Sequence, residues 1–102
     1  MLEIRPNCEL CNTDLPPNAP NARICSYECT YCAECVETVL HNVCPTCGGD
    51  FQPRPIRPST AWRPGLGLAH HPASAERRSH PRTPAEFNEH IDRIRGIDPA
   101  DR

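Results

Sequence analysis

Eight cysteines, all between Cys8 and Cys47, constrain this 102-residue chain more than any other feature. Their spacing is Cys8-x2-Cys11-x13-Cys25-x3-Cys29-x2-Cys32-x2-Cys35-x8-Cys44-x2-Cys47. A CxxC turn sets two sulfurs on one side of a tight loop, at a separation that fits two corners of a tetrahedron, with backbone N–H groups directed at the sulfurs. The rest of the composition makes such staples necessary. Only 37% of residues are hydrophobic, with two Phe, two Tyr and one Trp, and 13 are proline. A core built from so little apolar material is marginal at this size, and small scaffolds of this kind are held by disulfides or by metal. The start of the chain lacks a basic n-region and an apolar h-region. No segment approaches the roughly 20 apolar residues needed to span a bilayer. The expectation is a cytoplasmic protein with no membrane contact. In a reducing compartment, cysteines in CxxC pairs point to metal; a disulfide-knotted secreted domain is the competing reading.

Zinc suits this ligand set because it is borderline soft and has no d-electron preference for geometry. All eight cysteines (Cys8, Cys11, Cys25, Cys29, Cys32, Cys35, Cys44 and Cys47) are therefore candidate ligands, enough for two Zn²⁺ ions. Four protein sulfurs per ion leave no position for an activated water, so the sites read as structural and the chain as a non-enzyme, with no catalytic residue. Turn chemistry agrees. Gly48 and Gly49 follow the Cys44-Pro45-Thr46-Cys47 knuckle and can take positive φ, and Asn12 follows Cys8-Glu9-Leu10-Cys11 in the same role. Ala33 to His41 reads as a short helix with Val36, Val39 and Leu40 on one face. Arg23 to Glu28 supplies a short hairpin arm. His41 could stand in for a ligand, but eight cysteines already fill two sites.

The order of these pairs resembles RING-type cross-brace zinc domains: two ligands, a longer loop, four close ligands, a short helix, then a CPxC pair. That resemblance implies that Cys8, Cys11, Cys32 and Cys35 share one zinc and that Cys25, Cys29, Cys44 and Cys47 share the other. Cys29 stands where most RING domains have a His. The segments MLEIRPNCELC, ARICSYECTYCAEC and CPTCGG also resemble a small bacterial family, domain-of-unknown-function family 1272, over about residues 1–52. That likeness implies a zinc-binding fold without an assigned activity. The fold class expected is a small metal-stabilised α+β module, RING-like or treble-clef-like, with a short hairpin, one short helix and a disordered tail. A local pairing stays open, in which Cys25, Cys29, Cys32 and Cys35 hold one ion and Cys8, Cys11, Cys44 and Cys47 close a zinc ribbon. So does an iron–sulfur reading, since Cys29-x2-Cys32-x2-Cys35 echoes a ferredoxin run.

Charge divides the chain into three zones. Residues 1–52 carry seven acids against two arginines, a net of −5 before any thiolate charge. Residues 53–83 carry six arginines against Glu76, a net of +5. Residues 84–102 are net −2. The domain reading is a cysteine-rich module over 1–52, a Pro/Arg-rich disordered linker over 53–82 and a short amphipathic helical tail over 83–102. Ile56, Trp62, Leu66 and Leu68 lack sustained periodicity, so the linker is expected to stay solvated or to lie against its own acidic module. Thr83-Pro84-Ala85-Glu86 is a helix start, Phe87, Ile91 and Ile94 recur at helical spacing, and Gly96 offers a stop. A helix of about 12 residues is marginal alone, so a frayed tail is expected unless it docks. His70, His71 and His80 lie in the linker with no ligand role assigned.

Function reads as a structural zinc module that acts as a protein-interaction or regulatory adaptor. The tail is expected to add a contact through Phe87, Ile91 and Ile94. The RING resemblance implies an alternative, a ubiquitin-ligase-like transfer scaffold, with Leu10, Leu40 and Pro45 at the places of an apolar groove. The Trp usual in that family is absent, and Gly48 replaces an Arg. A redox-sensitive zinc switch is a third class. Nucleic acid is a weak possibility through the Arg-rich linker, where Trp62 beside Arg63 could stack on a base.

Overall fold

The computed structural model describes residues 1–102. The cysteine-rich half is built on a three-stranded antiparallel sheet of order β2-β1-β3, formed by β1 (Ala22–Ile24), β2 (Thr30–Cys32) and β3 (Gln52–Pro53). The expected hairpin is present, with Arg23 opposite Tyr31 and Ile24 opposite Thr30. Strand β2 is buried along its whole length, and Tyr31 packs edge-to-face on Phe51 with ring centroids 5.3 Å apart. The sheet is small because the sulfur clusters take over the interior. Six cysteines are buried and join Leu15, Leu40, Val43 and Phe51 in one core.

The predicted Ala33–His41 helix is present but wound in two ways. It begins as α1 (Ala33–Cys35) and widens into a π-helical turn, Val36–Leu40. The His41 N–H then reaches back to the Val36 carbonyl, and His41 itself closes the turn at φ 49°. The wider turn buries Val36 and Leu40 and leaves Val39 exposed, which corrects the three-residue apolar face read from the sequence.

The disordered linker is also corrected. Polar contacts order residues 53–82, and apolar counting misses these. Arg54 is 4% exposed and donates to the carbonyls of Arg5 (2.8 Å), Leu15 (3.2 Å) and Pro16 (2.9 Å). Arg57 bridges the carbonyls of Leu2 and His71, at 2.7 Å each. Further along, the Ser74 N–H donates to Ile4 O and the His80 N–H to Glu9 O. The buried Asn7 amide holds the Arg78 backbone on both sides of its Cα, accepting from its N–H and donating to its carbonyl. Arg77 pairs with Asp14 at 2.7 Å and Arg78 with Glu3 at 3.1 Å. The segment is a strap on the acidic module, as its opposite charge suggested. Buried polar groups satisfied in this way resist release, because each would have to be exposed and its partner left unpaired.

Helix α2 (Pro84–Ile94) docks, so the frayed-tail expectation is corrected as well. Its capping box is the one read from the sequence: Thr83 Oγ1 accepts from the Glu86 N–H, and the Glu86 carboxylate accepts from the Thr83 N–H, both at 3.3 Å. Phe87 and Ile91 are buried in the main core, with Ile94 packed against it. Burial of two such side chains contributes roughly 3–6 kcal/mol as an upper figure, enough to hold a helix that is marginal alone. His80 packs edge-to-face on Phe87 at 5.2 Å, and burial lowers its pKa below the ordinary histidine value and favours the neutral ring. The helix ends at Ile94, before Gly96, and Arg102 ties the C-terminus to the Asn42 and Gly48 carbonyls. Ile91→Ala is expected to cost about 2–4 kcal/mol in denaturant unfolding of metal-loaded protein. A change below about 0.5 kcal/mol would mean that the helix is not packed in solution.

Candidate metal centres

One loop and two ends of secondary structure converge on the first cluster. Cys8 and Cys11 sit on the N-terminal knuckle, Cys32 ends β2 and Cys35 ends α1. Their four sulfurs all lie within 4.8 Å of one another. Asn12 lets the chain turn out of the knuckle at φ 65°, the positive φ expected of it. The Cys11 N–H points at Cys8 Sγ and the Cys35 N–H at Cys32 Sγ, both at 3.5 Å. Cys32 is also the N-cap of α1, so a single sulfur both caps the helix and faces the cluster.

The second cluster joins the hairpin turn to the CPxC knuckle. The sulfurs of Cys25, Cys44 and Cys47 lie within 4.8 Å of one another. Cys29 closes the same turn, its carbonyl accepting from the Cys25 N–H at 3.1 Å, and its sulfur lies outside that mutual distance. The N–H of Tyr27 faces Cys25 Sγ and that of Gly49 faces Cys47 Sγ, both at 3.4 Å. Gly48 takes the expected positive φ of 78°. A Cβ there would come to 3.2 Å from Ile94 Cδ1, so the knuckle also needs a bare backbone for α2 to lie on it. Glu28 takes φ 70° to close the Cys25–Cys29 turn, a role that the CxxxC spacing did not reveal. His90 on α2 contacts the Cys44 carbonyl at 3.0 Å.

These positions separate the pairings. Cys32 and Cys35 join Cys8 and Cys11, whereas Cys25 joins Cys44 and Cys47. The local pairing of Cys25, Cys29, Cys32 and Cys35 is therefore not the one formed. The ferredoxin-like run Cys29, Cys32 and Cys35 is likewise split between two clusters. The two groups interleave along the sequence, the first drawing on Cys8, Cys11, Cys32 and Cys35 and the second on Cys25, Cys44 and Cys47. His41, His70, His71 and His80 belong to neither group.

Hydrogen bonding to Cys25 and Cys44 holds the Cys29 thiol down to about 3. The same contacts, that with Cys25 first, drive Cys44 strongly up. Burial drives Cys35 and Cys8 up in the first cluster and Cys47 up in the second. A buried group of touching thiols cannot hold all of its charge as thiolate without a cation among the sulfurs. Both clusters are thus positioned to bind a metal ion. A polar cleft of about 800 Å³ lies beside the second, with Arg5, Glu9, Cys29, Cys47 and His80 in its wall. No helix is long and apolar enough to cross a membrane.

The family model described as "Protein of unknown function (DUF1272)" matches residues 1–57. An uncharacterized protein of Rhizobium meliloti (strain 1021) is 49% identical over 77 residues, covering 76% of this chain and 84% of that protein. No solved structure matches the chain.

The pairing is open to direct test with cadmium. Protein loaded with ¹¹³Cd is expected to give two resonances, both at shifts of four-sulfur coordination. Cys8→Ser and Cys35→Ser should each move the same resonance, and Cys25→Ser and Cys44→Ser the other. If Cys35→Ser and Cys25→Ser moved one resonance in common, the interleaved arrangement would be wrong.

Proposed function

The chain belongs to the DUF1272 family, and we propose that it is a structural two-zinc scaffold without catalysis of its own, acting as an adaptor that presents a fixed surface to a protein partner. The observation that carries this is the composition and seclusion of the clusters. Each draws its sulfurs from two separate parts of the chain and backs them with knuckle N–H groups. Four thiolates complete a tetrahedral zinc site and leave no position for substrate or activated water. The ligands are scattered along the sequence, so metal binding and folding become one process, with the binding free energy of the ions stabilising the fold. Zinc is the ion proposed because it accepts four thiolates without redox chemistry.

The transfer-scaffold alternative needs an open apolar groove at Leu10, Leu40 and Pro45. Leu40 and Pro45 are buried, and Leu10 is packed against the core. The CPxC knuckle also carries α2 on top of it. Of the tail residues read as a partner contact, Phe87 and Ile91 are buried and Ile94 is packed against the core. These features favour a closed scaffold whose contacts lie elsewhere. A redox switch finds some support in the exposure of Cys11, but its three partners in the cluster are buried.

Native mass spectrometry of protein purified without added metal is the test, with an absorption spectrum alongside. Two zinc ions per chain and no visible absorbance are expected. A single ion, or bound iron with visible bands, would replace this reading with a different metal protein.

A further inference from the structure

Four of the large apolar side chains that the molecule leaves exposed gather in one place. Met1, Ile56, Trp62 and Leu66 line two adjoining clefts of about 460 and 400 Å³, with Trp62, 79% exposed, in the wall of both. The loop that carries Trp62 and Leu66 is closed and tied down. The Leu68 N–H donates to the Pro58 carbonyl at 2.9 Å, and His71 N–H to Gly67 O at 2.9 Å. Arg57 fastens the far end of the loop to the Leu2 carbonyl. Gly67, at φ 110°, allows the closure: a Cβ there would lie 3.1 Å from the Pro58 carbonyl oxygen. An unstructured loop would fold such apolar groups away or average them over many positions. This one holds them outward on a fixed base, and contiguous exposed apolar surface of that kind marks an interaction site.

The charge around it is one-sided. Residues 51–75 carry Arg54, Arg57, Arg63, His70 and His71 and no acid, whereas residues 1–50 are net −5. We propose that the Pro58–His71 loop is a docking surface for an acidic protein segment, whose bulky apolar side chain enters the cleft between Trp62 and Leu66 while a neighbouring carboxylate meets Arg63. The inference names the partner surface of the scaffold reading above and relies on that reading only for a rigid base. An aromatic anchor with an arginine beside it is the combination that dominates protein–protein contacts. Nucleic acid is less well served. Arg54 is buried and the Arg57 fork is engaged by two carbonyls. That leaves Arg63 as the free arginine of the loop, too few cations to hold a phosphate backbone at physiological salt.

Trp62 is the sole tryptophan, so its emission reports on this surface directly. The experiment is selection from a random-peptide display library on the zinc-loaded full chain, with counter-selection on a Trp62→Ala/Leu66→Ser variant of equal zinc content. Recovered peptides are expected to carry a bulky apolar residue flanked by Asp or Glu. The best of them, synthesised, should shift Trp62 emission to the blue, and Arg63→Glu should weaken it about tenfold or more. The proposal is overturned if no peptide is enriched, if those recovered lack acids, or if they bind the double variant equally well. It is also overturned if single-stranded oligonucleotide shifts the emission at lower concentration, or if the shift follows protein concentration alone, which would make the occupant a second copy. Zinc content measured on the same samples keeps the two readings apart: two ions without peptide binding sinks the docking surface alone, and a wild-type chain without zinc sinks the scaffold.

Discussion

Interleaving of the cysteine pairs is the constraint on which the rest of the structure depends. Cys8 and Cys11 must meet Cys32 and Cys35, while Cys25 and Cys29, which lie between them in sequence, must meet Cys44 and Cys47. Neither cluster can form fully without placing the other, because the β1–β2 hairpin carries Cys25 and Cys29 at its turn and Cys32 at the end of β2. A sheet of two- and three-residue strands would not survive by itself in water. Here it serves as the spacer between the clusters, and Tyr31, in the middle of β2, is fully buried against Phe51.

The C-terminal half is then added on two different principles. The strap is held by charge and backbone hydrogen bonds: Arg54, Arg57, Arg77 and Arg78 reach carbonyls and carboxylates of the module. The helix is held by apolar burial, with Phe87 and Ile91 completing a core that the module leaves short of large side chains. The order matters for function. The helix closes the CPxC face and the strap covers the acidic face, so the apolar surface that stays open is displaced to the Trp62 loop.

What could be read from the sequence was local. Positive φ at Asn12 and Gly48, the Thr83–Glu86 capping box and the hairpin after Arg23 follow from rules that span a few residues, and the structure has each of them. The cysteines that the structure gathers were legible because closely spaced cysteine pairs offer that chemistry. The partition into clusters was not legible from spacing and came from resemblance. The strap escaped for a physical reason. Its stability comes from arginine donors meeting main-chain carbonyls, such as those of Arg5, Leu15 and Leu2, and carbonyls carry no residue signature. Counting apolar residues over 53–82 measures the wrong energy. The π-helical turn at Val36–Leu40 escaped because the 3.6-residue period assumes α-helical winding throughout.

The central claim is that the two metal centres organise everything else, including segments that contribute no ligand. Hydrogen exchange measured before and after removal of metal by a stoichiometric chelator tests it most directly. The account predicts that the amides of Ser74, His80 and Phe87 to Ile91 lose protection together with those of β1 and β2, in one cooperative step. Persistence of protection in the strap and in α2 after the metal is gone would contradict it, and would mean that the arginine contacts and the apolar core fold this chain without the cysteines.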